Sequence, residues 1–77
     1  MKKFLVLGTG CSKCRKTTKL IKDVAKKRQM DVEIKKVEDL QQIMDYSVMR
    51  TPAVVVEGTV VHQGSVPKTK QIEEWLN

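Results

Sequence analysis

Apolar residues fall along this chain in short blocks whose period changes from one block to the next. Residues 3–7 form a continuous apolar run, Phe4-Leu5-Val6-Leu7 after Lys3, ended by Gly8. A strand that is apolar at successive positions is buried on both faces, as in the middle of an α/β sheet. Gly8-Thr9-Gly10 supplies a turn with glycines that accept unusual backbone angles. From residue 12 to 29 the period is helical. Thr17, Leu20, Ile21, Val24 and Ala25 make one narrow stripe. Residues 32–37 alternate, with Val32 and Ile34 against Glu33 and Lys35, which predicts a half-solvated strand at a sheet edge. The connection through a helix makes these two strands parallel with a right-handed crossover.

The second half predicts a shorter set of elements. Asp39 reads as a helix cap, with Gln42 as its capping-box partner, and Leu40, Ile43 and Met44 face inward on about two helical turns. Thr51-Pro52 ends a connection and biases residue 51 toward extended geometry. Residues 53–56 form a second wholly apolar strand. Glu57-Gly58 turns the chain, and residues 59–62 return as an antiparallel partner. Pro67 suits the first turn of a last helix whose buried face is Ile72, Trp75 and Leu76. The order is βαβαββα. A chain of 77 residues without repeats or a linker is expected to form one domain over residues 1–77.

Composition narrows the picture. Phe4, Tyr46 and Trp75 are the only aromatics, so the core is aliphatic, with Met30, Met44 and Met49 expected as filling. The apolar start is too short for a secretory signal and no run spans a membrane, so a cytosolic location is expected. Net charge is +6, from 15 Lys plus Arg against 9 Asp plus Glu. The first helix carries much of it, at Lys13, Arg15, Lys16, Lys19, Lys22, Lys26, Lys27 and Arg28. A basic helix can bind nucleic acid, but no aromatics are interleaved here, so a solvated face that steers acidic partners is the simpler reading.

The chemistry is concentrated in Gly8-Thr9-Gly10-Cys11-Ser12-Lys13-Cys14. The only two cysteines stand two residues apart, and so short a loop makes a poor staple. Thiol–disulfide exchange and metal binding are the chemical alternatives. Cys11 falls between the end of a central strand and the start of a helix. The helix dipole and Lys13, Arg15 and Lys16 favour its thiolate, lowering its pKa from about 8.5. Cys14 lies one turn further in, more buried and within reach. Cys11 then attacks a partner disulfide, and Cys14 resolves the mixed disulfide. Proline is tolerated at the first residue of a central strand. Pro52 can be cis or trans there; if cis, it bends the chain beside the cysteines and offers Thr51 backbone groups to an extended substrate. Arg50 can attract an acidic substrate or serve as a plain loop charge. His62, in the second edge strand, is expected to be a surface residue.

Taken together, Gly8 through Cys14, residues 46–53 with Thr51-Pro52-Ala53, Val56-Glu57-Gly58 and Gly64-Ser65-Val66-Pro67 resemble the thioredoxin–glutaredoxin fold. More narrowly, the chain is similar to the small bacterial and archaeal proteins called redox-active disulfide protein 2, over nearly all 77 residues. The resemblance implies a four-stranded mixed sheet of order 2-1-3-4 with helices on both faces. It also implies Cys11 as nucleophile, Pro52 as the cis-proline, and a site shaped by Gly10, Ser12, Lys13 and Gly64. No cofactor or metal is expected beyond the Cys11–Cys14 disulfide. Expected partners are a disulfide-bearing protein and an upstream reductase, without nucleic acid or membrane, the chain being a monomer. Ser12-Lys13 replace the Gly-Pro usual between thioredoxin cysteines, and Gly10 replaces the Trp before them. Ser65-Val66 stand where glutaredoxins carry acidic residues that hold glutathione. The rival function is a small Cu(I) metallochaperone using the same pair. Those proteins run βαββαβ and carry Met before the first cysteine, where this chain has Thr9-Gly10.

Overall fold

A computed structural model describes residues 2–9 and 12–77. The elements are β1 (Lys2–Leu7), α1 (Ser12–Lys27), β2 (Val32–Val37), α2 (Leu40–Asp45), β3 (Ala53–Val56), β4 (Thr59–Gln63) and α3 (Thr69–Leu76). They build one sheet of order β2-β1-β3-β4. The β1 and β2 strands run parallel, with Phe4 opposite Ile34, whereas β3 runs antiparallel to both β1 and β4. The two wholly apolar segments are thus the central strands, and alternating β2 is an edge, as their patterns require.

The sheet separates two cores. On one face α1 and α3 cover Phe4, Val6 and Val54, with Ile21, Val24, Ala25, Ile72 and Leu76 packed against them. On the other, Leu7, Val37, Ala53 and Val55 meet Ile43 and Val48. Lys2 Nζ donates to the Trp75 and Asn77 carbonyls at 2.7 and 3.0 Å. Arg28 donates to the Glu73 carbonyl and Asn77 Oδ1 at 2.9 and 2.7 Å, so two cations serve the Glu73 and Trp75 carbonyls in the last turn of α3.

Positive φ angles mark the chain reversals. Glu57 (φ 50°) and Gly58 (φ 84°) make a two-residue hairpin of the I′ hand, which matches the sheet twist. Glu57 Oε1 also accepts from the Lys3 N–H at 3.1 Å. Gln29 (φ 54°) ends α1 in a Schellman arrangement, with Gln29 N–H to Lys26 O at 3.0 Å and Met30 N–H to Ala25 O at 2.9 Å.

Several expectations are corrected. Leu40 and Met44 do not face inward; they are 63% and 60% exposed. The α2 helix is only six residues long and seats through Ile43 alone, while Leu40 and Met44, four apart, share its solvent side. Asp39 does cap α2, but through the Gln41 amide at 3.0 Å rather than a box with Gln42. Met30 packs at the core edge, whereas Met49 is 90% exposed and fills nothing. Pro67 is buried but precedes α3, which starts at Thr69 after the N-cap Lys68, whose N–H donates to Gln71 Oε1 at 3.0 Å.

Candidate active site

The site assembles at the end of β1 where the chain turns into α1. Gly8 continues the β1–β2 ladder by donating its N–H to the Val37 carbonyl at 3.0 Å. Ser12, the residue after Cys11 in sequence, is the first residue of α1, and it and Lys13 are exposed. Cys14 follows in the first turn and is 3% exposed, a burial that the helical stripe demands, since it shares a face with Thr17, Thr18 and Ile21. The Thr18 hydroxyl donates to the Cys14 carbonyl at 3.1 Å and the Thr17 hydroxyl to the Lys13 carbonyl at 2.8 Å. These bonds satisfy the buried threonine hydroxyls within the helix. Gly10 and Cys11 lie outside the described residues.

The reason for glycine at position 8 is space and not backbone angle. A Cβ built there would land on the Cys14 sulfur, and it would stand 3.7 Å from the Thr51 Cβ. Three segments therefore meet at one point: the end of β1, the first turn of α1, and the connection into β3, which is some forty residues further along the chain. The reading of Gly8 as a turn glycine missed this. The signal was a glycine ending a buried strand just ahead of a helix that must seat a cysteine.

The peptide bond between Thr51 and Pro52 is cis. Pro52 is buried and Thr51 is exposed, so the residue beside Cys14 reaches solvent while its neighbour anchors the bend. The loop is braced by the far end of β4. The Gly64 N–H donates to the Pro52 carbonyl at 3.0 Å, and the Met49 N–H donates to Gln63 Oε1 at 3.1 Å. Gly64 has φ +95°, and the Arg50 stem lies across it, 3.2 Å from where a Cβ would stand. Gly64 thus shapes the site at one remove, by carrying the Arg50–Pro52 loop. Neither this brace nor the exposure of Met49 was visible in the sequence.

The electrostatics are one-sided. All nine Asp and Glu residues are exposed, so no carboxylate is buried near Cys14. Among the described residues, one ion pair occurs, Lys3 with Glu33 at 4.0 Å, at the opposite end of the sheet. No helix among them is long and apolar enough to cross a membrane. His62 is half-buried rather than a plain surface group. Its Nε2 lies 3.0 Å from both the Ser65 carbonyl and hydroxyl oxygens, and its ring is tilted against Trp75 at 5.9 Å. That contact ties β4 to α3.

Comparison with known proteins agrees with this geometry. The chain is 35% identical to a thioredoxin of Methanocaldococcus jannaschii over 71 residues, 92% of this chain and 81% of that one. It is 27% identical to a thioredoxin of Methanothermobacter thermautotrophicus over the full length of both. The fold matches oxidised thioredoxin from Plasmodium falciparum with a TM-score of 0.60 at 14% identity, covering 95% of this chain and 75% of that one. It matches thioredoxin 1 of Thermosipho africanus with a TM-score of 0.59 at 20% identity, covering 96% and 93%. A thioredoxin-domain family model spans residues 2–77, so the buried cysteine of α1, the cis Thr51–Pro52 bond and the β2-β1-β3-β4 sheet belong to a member of the thioredoxin-domain family.

Proposed function

We propose that this chain works as a dithiol–disulfide oxidoreductase in which Cys11 attacks and Cys14 resolves. Family membership supports the general activity, thiol–disulfide exchange. The division of labour rests chiefly on one observation: Cys14 is buried against Gly8 and beside Thr51, one turn into α1. A buried thiol is poorly placed to meet a macromolecular disulfide, but well placed to attack a sulfur three residues before it. Cys11 directly precedes the first residue of α1, where helix amides favour a thiolate, and Lys13, Arg15 and Lys16 add positive charge.

The Cys11 thiolate attacks one sulfur of a partner disulfide. A Cys11–partner bond forms and the other partner sulfur leaves as thiolate. Cys14, having lost its proton, attacks the Cys11 sulfur, so the Cys11–Cys14 bond forms and the second partner sulfur leaves. The partner gains two electrons and, with two protons, becomes a dithiol. An upstream dithiol reductant reverses the balance on this chain. Thr51, exposed before the buried cis-proline, presents backbone groups to an extended partner segment in the manner of an added strand. Ser12 and Lys13 shape the approach. The Cys14 proton passes to solvent or to a departing thiolate.

The observed order, with α2 ahead of the β3–β4 hairpin, departs from the βαββαβ order of copper chaperones. The exchange mechanism is tested by cysteine variants and mass spectrometry. Cys14→Ser should accumulate mixed disulfides with an oxidised peptide, and Cys11→Ser should form none. Trapping by Cys11→Ser alone would reverse the roles.

A further inference from the structure

One face of α1 is cationic without interruption. Arg15, Lys19, Lys22 and Lys26 follow at spacings of four, three and four, which sets them in one row on the helix surface. The row extends about 16 Å at 1.5 Å per residue. All four side chains are exposed, and Asp23, the one acidic residue of α1, flanks the row, four residues after Lys19 and three before Lys26. None of the four has a carboxylate within 4.0 Å among the described residues. One flanking carboxylate against four cations leaves the row strongly positive. The row begins at Arg15, immediately after Cys14. Lys36 adds an exposed charge at the same end of the sheet, one residue before Val37, whose carbonyl holds Gly8.

We infer that this row is the docking surface for an acidic partner protein, whose disulfide it brings to the Cys11 end of α1. Charge complementarity selects the partner's sign. The protein class is favoured over nucleic acid by what accompanies the charge. No aromatic side chain lies on α1 for bases to stack on. At the same end Met49 holds an apolar side chain 90% exposed on a loop braced through Gln63, two residues from Thr51. An exposed apolar side chain at the site end of the fold offers a contact that a protein surface uses and a phosphate backbone does not. An unpaired row of four cations acts by steering, which raises association rates by roughly 10–10³ and fades as the Debye length shrinks.

The inference rests on the oxidoreductase reading for the partner's disulfide, but not for docking, so the two are measured apart. Docking is read by anisotropy of a fluorescein-labelled peptide carrying six glutamates and serines in place of cysteines, against the same peptide with six lysines. Exchange is read with hydroxyethyl disulfide, which is uncharged. The acidic peptide should bind at least about tenfold more tightly than the basic one at low salt, with the difference gone near 0.5 M salt. Lys19→Gln/Lys22→Gln/Lys26→Gln should abolish the preference while leaving turnover of hydroxyethyl disulfide unchanged. Equal binding of the two peptides, or a preference that survives the triple variant, overturns the inference. So does tight binding of a DNA or RNA oligonucleotide without binding of the acidic peptide. Failure to turn over hydroxyethyl disulfide at all would count against the oxidoreductase reading and leave the binding result to decide the row.

Discussion

Replacing Gly8 by alanine puts a methyl group where the Cys14 sulfur sits. The new Cβ would overlap that sulfur, while its next neighbours, the Cys14 Cβ at 3.4 Å and the Thr51 Cβ at 3.7 Å, are at ordinary contact distance. The clash is thus with a single atom, and that atom is 97% buried with the rest of its residue by the walls of α1 and β1. Gly8 itself has no left-handed φ to lose, so the cost is steric alone. Overpacking of a tight interior costs about 1–3 kcal/mol. At roughly 4–8 °C per kcal/mol for a chain of this size, about 2 kcal/mol lowers the melting temperature by roughly 8–16 °C. Thermal and urea unfolding under reducing conditions measure this. The discriminating step is a double-mutant cycle with Cys14→Ala, which removes the sulfur and keeps the Cβ. In that background Gly8→Ala should cost under about 0.5 kcal/mol, a coupling of at least about 1 kcal/mol. An equal cost with and without the sulfur would refute the packing argument.

Gly64→Ala should cost about 1–2 kcal/mol in urea unfolding, because φ is +95°, with little relief from Arg50→Ala, whose stem can move. Gln63→Ala removes the acceptor of the Met49 N–H, so amide exchange at Met49 should quicken about 2–10-fold without a comparable change at Val54 in the sheet. Gln29→Gly should raise stability by about 0.5–1 kcal/mol in the same unfolding assay, because it relieves a left-handed residue at the end of α1.

The sheet was legible because burial writes itself into the period. The runs ending at Leu7 and Val56 carry no polar residue and became the central strands, while the Val32/Ile34 alternation marked an edge. Cys14, expected to be buried from its place one turn into the helix, is buried. What failed did so for lack of partners in view. Leu40 and Met44 are apolar at helical spacing, but α2 is too short to turn more than Ile43 onto the sheet. Met49 is held out by a bond between Gln63 and its backbone, a contact across 14 residues that no local pattern encodes. The cis geometry of Thr51–Pro52 was open from the residues and followed only from resemblance. The role of Gly8 depends on where a sulfur six residues later comes to rest, which is a property of the assembled fold.

The central claim is that Cys11 and Cys14 form a reversible two-electron couple. Equilibration of metal-free protein in thiol–disulfide buffers of graded potential, followed by alkylation and intact mass, tests it directly. The predicted result is a single transition between a doubly alkylated and an unalkylated chain, with a midpoint between about −120 and −270 mV, the span of related oxidoreductases. A pair that stays doubly alkylated across that range, or that oxidises without being recovered by reductant, would contradict the account.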